Sequence, residues 1–190
     1  MKGMERKVLL HTCCGPCTLY PLRVLRGEGV EPVGFFYNPN IHPYREFRRR
    51  MTALREVAEK RDLEVIWHRD YGLREFLREV VFREEDRCEV CYYLRLRETA
   101  RLARSLGYPA FSTTLLYSPF QKHELLRDIG ETLARRFGLT FFYRDFREGY
   151  RRGQKEALEL GIYRQAYCGC IFSEEERYDK KFRRRRRGSS

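Results

Sequence analysis

Apolar positions along this chain follow two alternating patterns. Short runs in which nearly every position is apolar, the mark of strands covered on both faces, lie at 7–11, 33–37, 64–68, 110–112 and 140–143. Between them, apolar residues recur every three or four positions among charged ones, and this spacing predicts helices over 18–26, 44–60, 73–81, 89–106 and 122–137. Gly27 and Gly29 close the first helix, and Asn38-Pro39-Asn40 with His42-Pro43 end the second strand. There is no internal repeat and no linker. Regular alternation of strand and helix predicts an α/β fold: a Rossmann-like parallel sheet of about five strands, helices on both faces, joined by right-handed crossovers. Ligands of such sheets bind beyond the carboxyl ends of the strands. Those ends read His11-Thr12-Cys13-Cys14, Tyr37-Asn38, Arg69-Asp70-Tyr71, Thr113-Thr114 and Arg144-Asp145, all polar, as a shared site requires and as wet loops also give.

Composition narrows the class. With 42% hydrophobic residues in 190, the chain has the material for one compact domain, expected over 1–177, and disorder is excluded as the main reading. No apolar run approaches the roughly 18 to 20 residues of a membrane span. The start leads only into Val8-Leu9-Leu10, so the protein is expected to be cytoplasmic, neither membrane-bound nor secreted. The net charge is +12, and half of it sits in a basic tail, 178–190, where Lys180, Lys181 and Arg183 to Arg187 face Asp179 alone. Only seven of the 39 basic residues are Lys, and Arg suits phosphate and base contacts. The charge therefore points to a polyanionic partner, against the plainer reading of a solvated surface.

Seven cysteines without an export signal argue for reduced thiolates rather than a disulfide framework. Cys13, Cys14 and Cys17 fall in the first strand-to-helix turn, where a nucleotide-binding fold places phosphate-cradling glycines. Neither GxGxxG nor GxxxxGK[ST] occurs anywhere. Cys88-Glu89-Val90-Cys91 puts two sulfurs one turn apart at a helix start, whose dipole favours thiolate, and the glycine of Cys168-Gly169-Cys170 lets two sulfurs reach one metal. Three groups at remote places imply convergence in space. Residue types alone leave open an iron–sulfur cluster, a zinc site, or thiol redox and structural cysteines. Asp70 reads as an oxygen ligand, a proton donor or a turn cap, and His11 as a core histidine before a ligand. His42, His68 and His123 are indistinguishable from surface residues. Tyr163, Tyr167 and Phe172 flank the last cysteine turn, as base-stacking residues or as a packed aromatic layer.

Taken in order, His11-Thr12-Cys13-Cys14-Gly15-Pro16-Cys17, Asn38-Pro39-Asn40-Ile41-His42-Pro43, Cys88-x-x-Cys91 with Arg95-Leu96, Ser112-Thr113-Thr114-Leu115, Ser118-Pro119, Tyr143-Arg144-Asp145-Phe146-Arg147 and Tyr163-Arg164-Gln165-x-Tyr167-Cys168-Gly169-Cys170 form one pattern. It resembles that of the QueH-type, cobalamin-independent epoxyqueuosine reductases, over about residues 7–173. The resemblance implies a fold of the adenine-nucleotide alpha-hydrolase type and the last step of queuosine biosynthesis, removal of the epoxide oxygen from epoxyqueuosine in tRNA. It also implies a [4Fe–4S] cluster beside a second metal ion, expected to be iron. Carried over, the metal positions are Cys13, Cys14, Cys88, Cys91, Cys168 and Cys170, with Asp70 as oxygen ligand and Cys17 matching the motif. Our expected division gives the cluster Cys88, Cys91, one of Cys14 or Cys17, and Asp70; Cys13, Cys168 and Cys170 take the second metal. Asp70, Cys13 and Cys170 are the expected catalytic residues. Tyr117, Arg144, Arg147 and Arg164 are the expected contacts to the anticodon loop. An external one-electron donor, ferredoxin- or flavodoxin-like, is the second partner. The competing readings are a zinc-stabilised RNA-binding module and an ATP-dependent sulfur-transfer relative. The latter lacks its SGGxDS-like loop here.

Overall fold

A computed structural model describes residues 7–181. Five strands form one wholly parallel sheet: β1 (Lys7–His11), β2 (Glu31–Phe36), β3 (Val65–Trp67), β4 (Ala110–Thr113) and β5 (Thr140–Phe141). Their spatial order is β3-β2-β1-β4-β5, so the α/β expectation holds. The chain runs outward from β1 through β2 to β3, then returns to place β4 on the other side of β1. Helices α1 (Gly15–Gly27) and α2 (Tyr44–Arg61) pack on each other along the first half. Helices α4 (Arg87–Ser105) and α5 (His123–Phe137) do so along the second, with the short α3 (Leu73–Val80) leading into α4. Two further helices, α6 (Tyr150–Glu159) and α7 (Ile171–Tyr178), are absent from the apolar period of the sequence. The expected basic tail lies outside the described residues from position 182 onward.

Leu9, Leu10 and Phe111 in the central strands are fully buried, and Leu25, Leu96, Ala100 and Leu126 of the flanking helices close over them. Strands covered on both faces explain the unbroken apolar runs. Beyond the carboxyl ends, the gap between β1 and β4 is the point where the strand order reverses, and a crevice opens there. The loop after β1 fills that crevice with cysteines.

Candidate metal centre

The cysteine loop is set by close packing as much as by its own sequence. Gly15 opens α1 where a Cβ would stand 2.5 Å from the Ala53 carbonyl oxygen of α2, so no larger residue fits. Pro16 occupies the first turn, where its missing N–H costs nothing. Thr18 Oγ1 donates to the Cys14 carbonyl at 2.8 Å. Cys14 and Cys17, three apart, share one face with Cys13 just outside, and one ligand atom from each lies within 4.8 Å of the others. Among the described residues this is the one such cluster of ligating side chains, and all three thiols are buried.

The thiols differ electrostatically. Hydrogen bonds from Cys14, Cys17 and Thr114 hold Cys13 well below the ordinary thiol range, while burial raises Cys14 and the neighbouring sulfurs raise Cys17. Thr114, just past β4, donates to Cys13 Sγ at 3.4 Å and accepts from its backbone N–H at 3.2 Å, which ties the two loops of the switch point together. His11 is a buried structural histidine: Nε2–H donates to the Tyr37 carbonyl at 3.1 Å, and Nδ1 accepts from Thr113 at 2.9 Å. Burial, with Arg95 next, lowers its pKa to about 3, so it stays neutral.

The other four cysteines come from two elements. Cys88 and Cys91 lie on the first turn of α4, and Cys168 and Cys170 bracket the turn before α7. They are close enough for Cys168 and Cys170 to raise the pKa of both Cys88 and Cys91, and burial, the larger cause, takes Cys91 to about 12. Cys91 and Cys170 share one buried cluster with Phe76, Val80 and Val90. The last turn is held by Arg50 of α2, whose guanidinium donates to the Cys168 and Tyr167 carbonyls at 2.7 and 2.8 Å and to Glu46 at 2.7 Å. The Gly169 carbonyl accepts from the His42 backbone N–H at 2.8 Å, and Arg87 joins Glu176 to pin α7 against α4. Cys13 stands in one cluster with Cys14 and Cys17, and it shares the lining of one cavity with Cys168.

These groups meet at a cavity of about 390 Å³ lined by Cys13, Cys17 and Cys168, by Arg50 and Arg95, and by the amides of Gln121, Gln154 and Gln165. Gln165 donates to Cys17 Sγ at 3.3 Å and Gln121 to Cys168 Sγ at 3.4 Å. Phe120, 80% exposed, stands at the lip with its ring edge-on to Tyr150 at 5.8 Å.

Seven thiols in two neighbouring sets, with buried guanidinium groups nearby, fit a thiolate-rich metal centre. So do the buried side-chain oxygens of Thr12, Asn38 and Asn40, which flank the first loop with no hydrogen-bond partner. A family model described as Epoxyqueuosine reductase QueH matches residues 8–176. The chain belongs to this QueH family. Relatives bearing that name include one from Dehalococcoides mccartyi, 38% identical over 177 residues that make up 93% of this chain and 97% of the relative. One from Thermotoga maritima is 39% identical over 184 residues, 91% of this chain and 93% of the relative. One from Helicobacter pylori is 37% identical over 180 residues, 87% of this chain and 49% of the relative.

Within this QueH-family site, several expected residues lie elsewhere. Asp70 is 88% exposed and faces His68 at 3.5 Å; it does not line the cavity. Tyr117, expected in a loop against RNA, is wholly buried, and its hydroxyl donates to the Tyr150 carbonyl at 2.8 Å. A Cβ at Gly153 would come within 2.4 Å of that hydroxyl, so the glycine makes room for it. Tyr117 builds the wall behind the cavity and is corrected to a structural role. Arg144 pairs with Glu28 at 2.9 Å and Arg147 forks onto Asp145, whose pKa it lowers to about 2; neither lines the cavity. Arg164 donates to Gln154 of the cavity wall at 3.1 Å. His42 and His123, which the sequence did not separate from surface residues, are buried. Arg50, Gln121 and Phe120 were not foreseen, and Arg95 entered only as part of the Cys88-x-x-Cys91 pattern, with no role. Spacings of four, Arg50 after Glu46 and Arg95 after Cys91, are the sequence signals for the two arginines.

Proposed function

We propose that this oxidoreductase of the QueH family reduces the epoxide of epoxyqueuosine in tRNA to the alkene of queuosine, in the cytoplasm. The observation that carries the reading is the cluster of three buried thiols at the switch point of a nucleotide-type sheet, beside a cavity that Cys168 also lines. We assign Cys13, Cys14 and Cys17 to one metal group and Cys88, Cys91, Cys168 and Cys170 to the other, a [4Fe–4S] cluster and a single iron between them. An iron–sulfur cluster and an iron held by these residues would supply single electrons and a Lewis acid for the epoxide oxygen.

The reaction consumes two electrons and two protons and releases water, so the electrons come from an external one-electron donor of the ferredoxin or flavodoxin class. The chain's own residues bind and orient. Gln121, Gln154 and Gln165 offer both donors and acceptors to the polar edges of an extruded base. Phe120 and Tyr150 give that base, or its neighbour, a face to stack on. Arg164 and Arg177 stand at the cavity for backbone phosphates. Arg50 keeps the Cys168 turn closed over the thiols.

The test is iron, zinc and acid-labile sulfide per chain in protein purified without oxygen, followed by conversion of epoxyqueuosine-bearing tRNA with a chemical reductant. About four sulfides with four to five irons are expected for one cluster and one extra iron. One zinc without sulfide, and no conversion, overturns the reading. Asp70→Asn is expected to leave these contents unchanged; loss of iron in that variant would show that the segment around Asp70 folds onto the metal.

A further inference from the structure

Arg95 is only 2% exposed, yet among the described residues it has no carboxylate within salt-bridge distance. A buried cation without a counter-charge loses several kcal/mol of solvation, so one in a folded core has an anion to face. Arg50, the other fully buried arginine at the cavity, has Glu46 at 2.7 Å. Arg95 has sulfur. Its side chain folds back one turn along α4, Nε donating to the Cys91 carbonyl at 3.1 Å and Nη2 to Cys91 Sγ at 3.0 Å. It also lines the cavity with Cys13 and Cys168, so it stands between the first-loop thiols and the four-cysteine set. Burial opposes its charge, and Cys91, Cys168, Cys13 and, after them, Tyr92 favour it.

We propose that Arg95 is a positioning residue whose fixed positive charge is the built-in counter-ion of the thiolate–metal centre and sets its reduction potential. The proposal rests on the reading of the site given above. Adding an electron makes such a centre more negative, and a cation that cannot leave or be screened by water stabilises the reduced form more than the oxidised one. A hydrogen bond to a ligating sulfur acts in the same direction. The arrangement thus makes the centre easier to reduce. The planar fork of the guanidinium also fixes where Cys91 Sγ points, a task the single ammonium of lysine performs less well.

The experiment is a spectroelectrochemical titration of the anaerobically loaded holoprotein and of Arg95→Met, Arg95→Gln and Arg95→Lys, with iron and sulfide measured on the same samples. Loss of the charge in Met and Gln is expected to shift the reduction equilibrium at least about tenfold toward the oxidised form. That is a fall of about 59 mV for a one-electron couple. Lys is expected to retain most of the wild-type potential. Met or Gln protein with wild-type metal content and an unchanged potential overturns the proposal. If neither loads, Arg95→Lys decides: loading with Lys supports a role of charge, and failure of all three overturns it in favour of packing. Wild-type protein without a redox-active metal overturns both this proposal and the reading of the site beneath it, whereas an unchanged potential in a loaded variant overturns only the role of Arg95.

Discussion

Acidification is expected to destabilise the fold through His42, and the size of the effect follows from its surroundings. The ring lies wholly inside, between Tyr71 and Phe76 at 5.6 and 5.4 Å. The Pro39 carbonyl, 3.0 Å from Nε2, only accepts, and the Ile171 backbone N–H, 3.4 Å from Nδ1, only donates. The neutral ring protonated on Nε2 satisfies both, whereas a second proton on Nδ1 would face the Ile171 N–H. Burial lowers the pKa to about 4 from an ordinary 6.5. Below about pH 6.5 the unfolded chain therefore takes up a proton that the folded chain refuses until pH 4. Stability contributed by the neutral ring is complete above 6.5 and is lost as the pH falls toward 4. At about 1.36 kcal/mol per pH unit, the loss is about 3 kcal/mol. The assay is urea denaturation at intervals from pH 7 to pH 4, on wild type and His42→Gln with matched metal content. Because His11 titrates in the same sense in both proteins, the informative quantity is the difference between the two stability curves. That difference should shrink by about 3 kcal/mol across the window. Parallel curves would refute the argument, since they would mean that the ring accepts its proton inside the fold.

Two further substitutions test the placement of aromatic residues around the cavity. Tyr117→Phe strands the buried Tyr150 carbonyl, and should cost about 1–2 kcal/mol and several degrees of melting temperature while leaving affinity for an anticodon stem-loop RNA unchanged; weaker RNA binding at full stability would refute its structural role. Phe120→Ala should do the reverse, with no change in melting temperature and RNA binding weaker by about tenfold, the value of one lost base stack; equal binding would remove Phe120 from the interface.

The fold was legible where the apolar period was strong. All five strands and the helices α2, α4 and α5 appear in the sequence pattern within a few residues of their observed bounds. The start of α1 was read at Thr18 because Gly15-Pro16 looks like loop, although Pro suits a first turn and Gly15 answers to Ala53 on a neighbouring helix. Helix α6 left little trace because the residues it buries, Gly153 and Ala157, are small. The cysteine spacings were legible, but the contacts around each cysteine were not. Those contacts depend on β4 returning beside β1, which puts Thr114 on Cys13. Arg50 and Arg95 were hidden for a different reason. A charged residue in an arginine-rich helix reads as solvent-facing, and only the tertiary contacts reveal that these two are buried.

The first loop can be understood as an exchange of anions on a conserved electrostatic plan of the fold class. In a nucleotide-binding sheet the helix after the first strand points its N-terminus, with its unpaired N–H groups and positive dipole end, at a phosphate. Here α1 keeps that geometry, with no acidic residue in its first turn and no side-chain cap on Cys14. What stands before the helix end is the protein's own sulfur. Within 4.8 Å of one another, the three thiols do not ionise alike: hydrogen bonds from its neighbours hold Cys13 low, burial drives Cys14 up, and the neighbouring sulfurs drive Cys17 up. Ionising all three requires a cation among them. A metal ion meets that requirement and a phosphate cannot, so the positive helix end that suits a nucleotide in a glycine-rich loop suits, in this one, three thiols that could hold a metal.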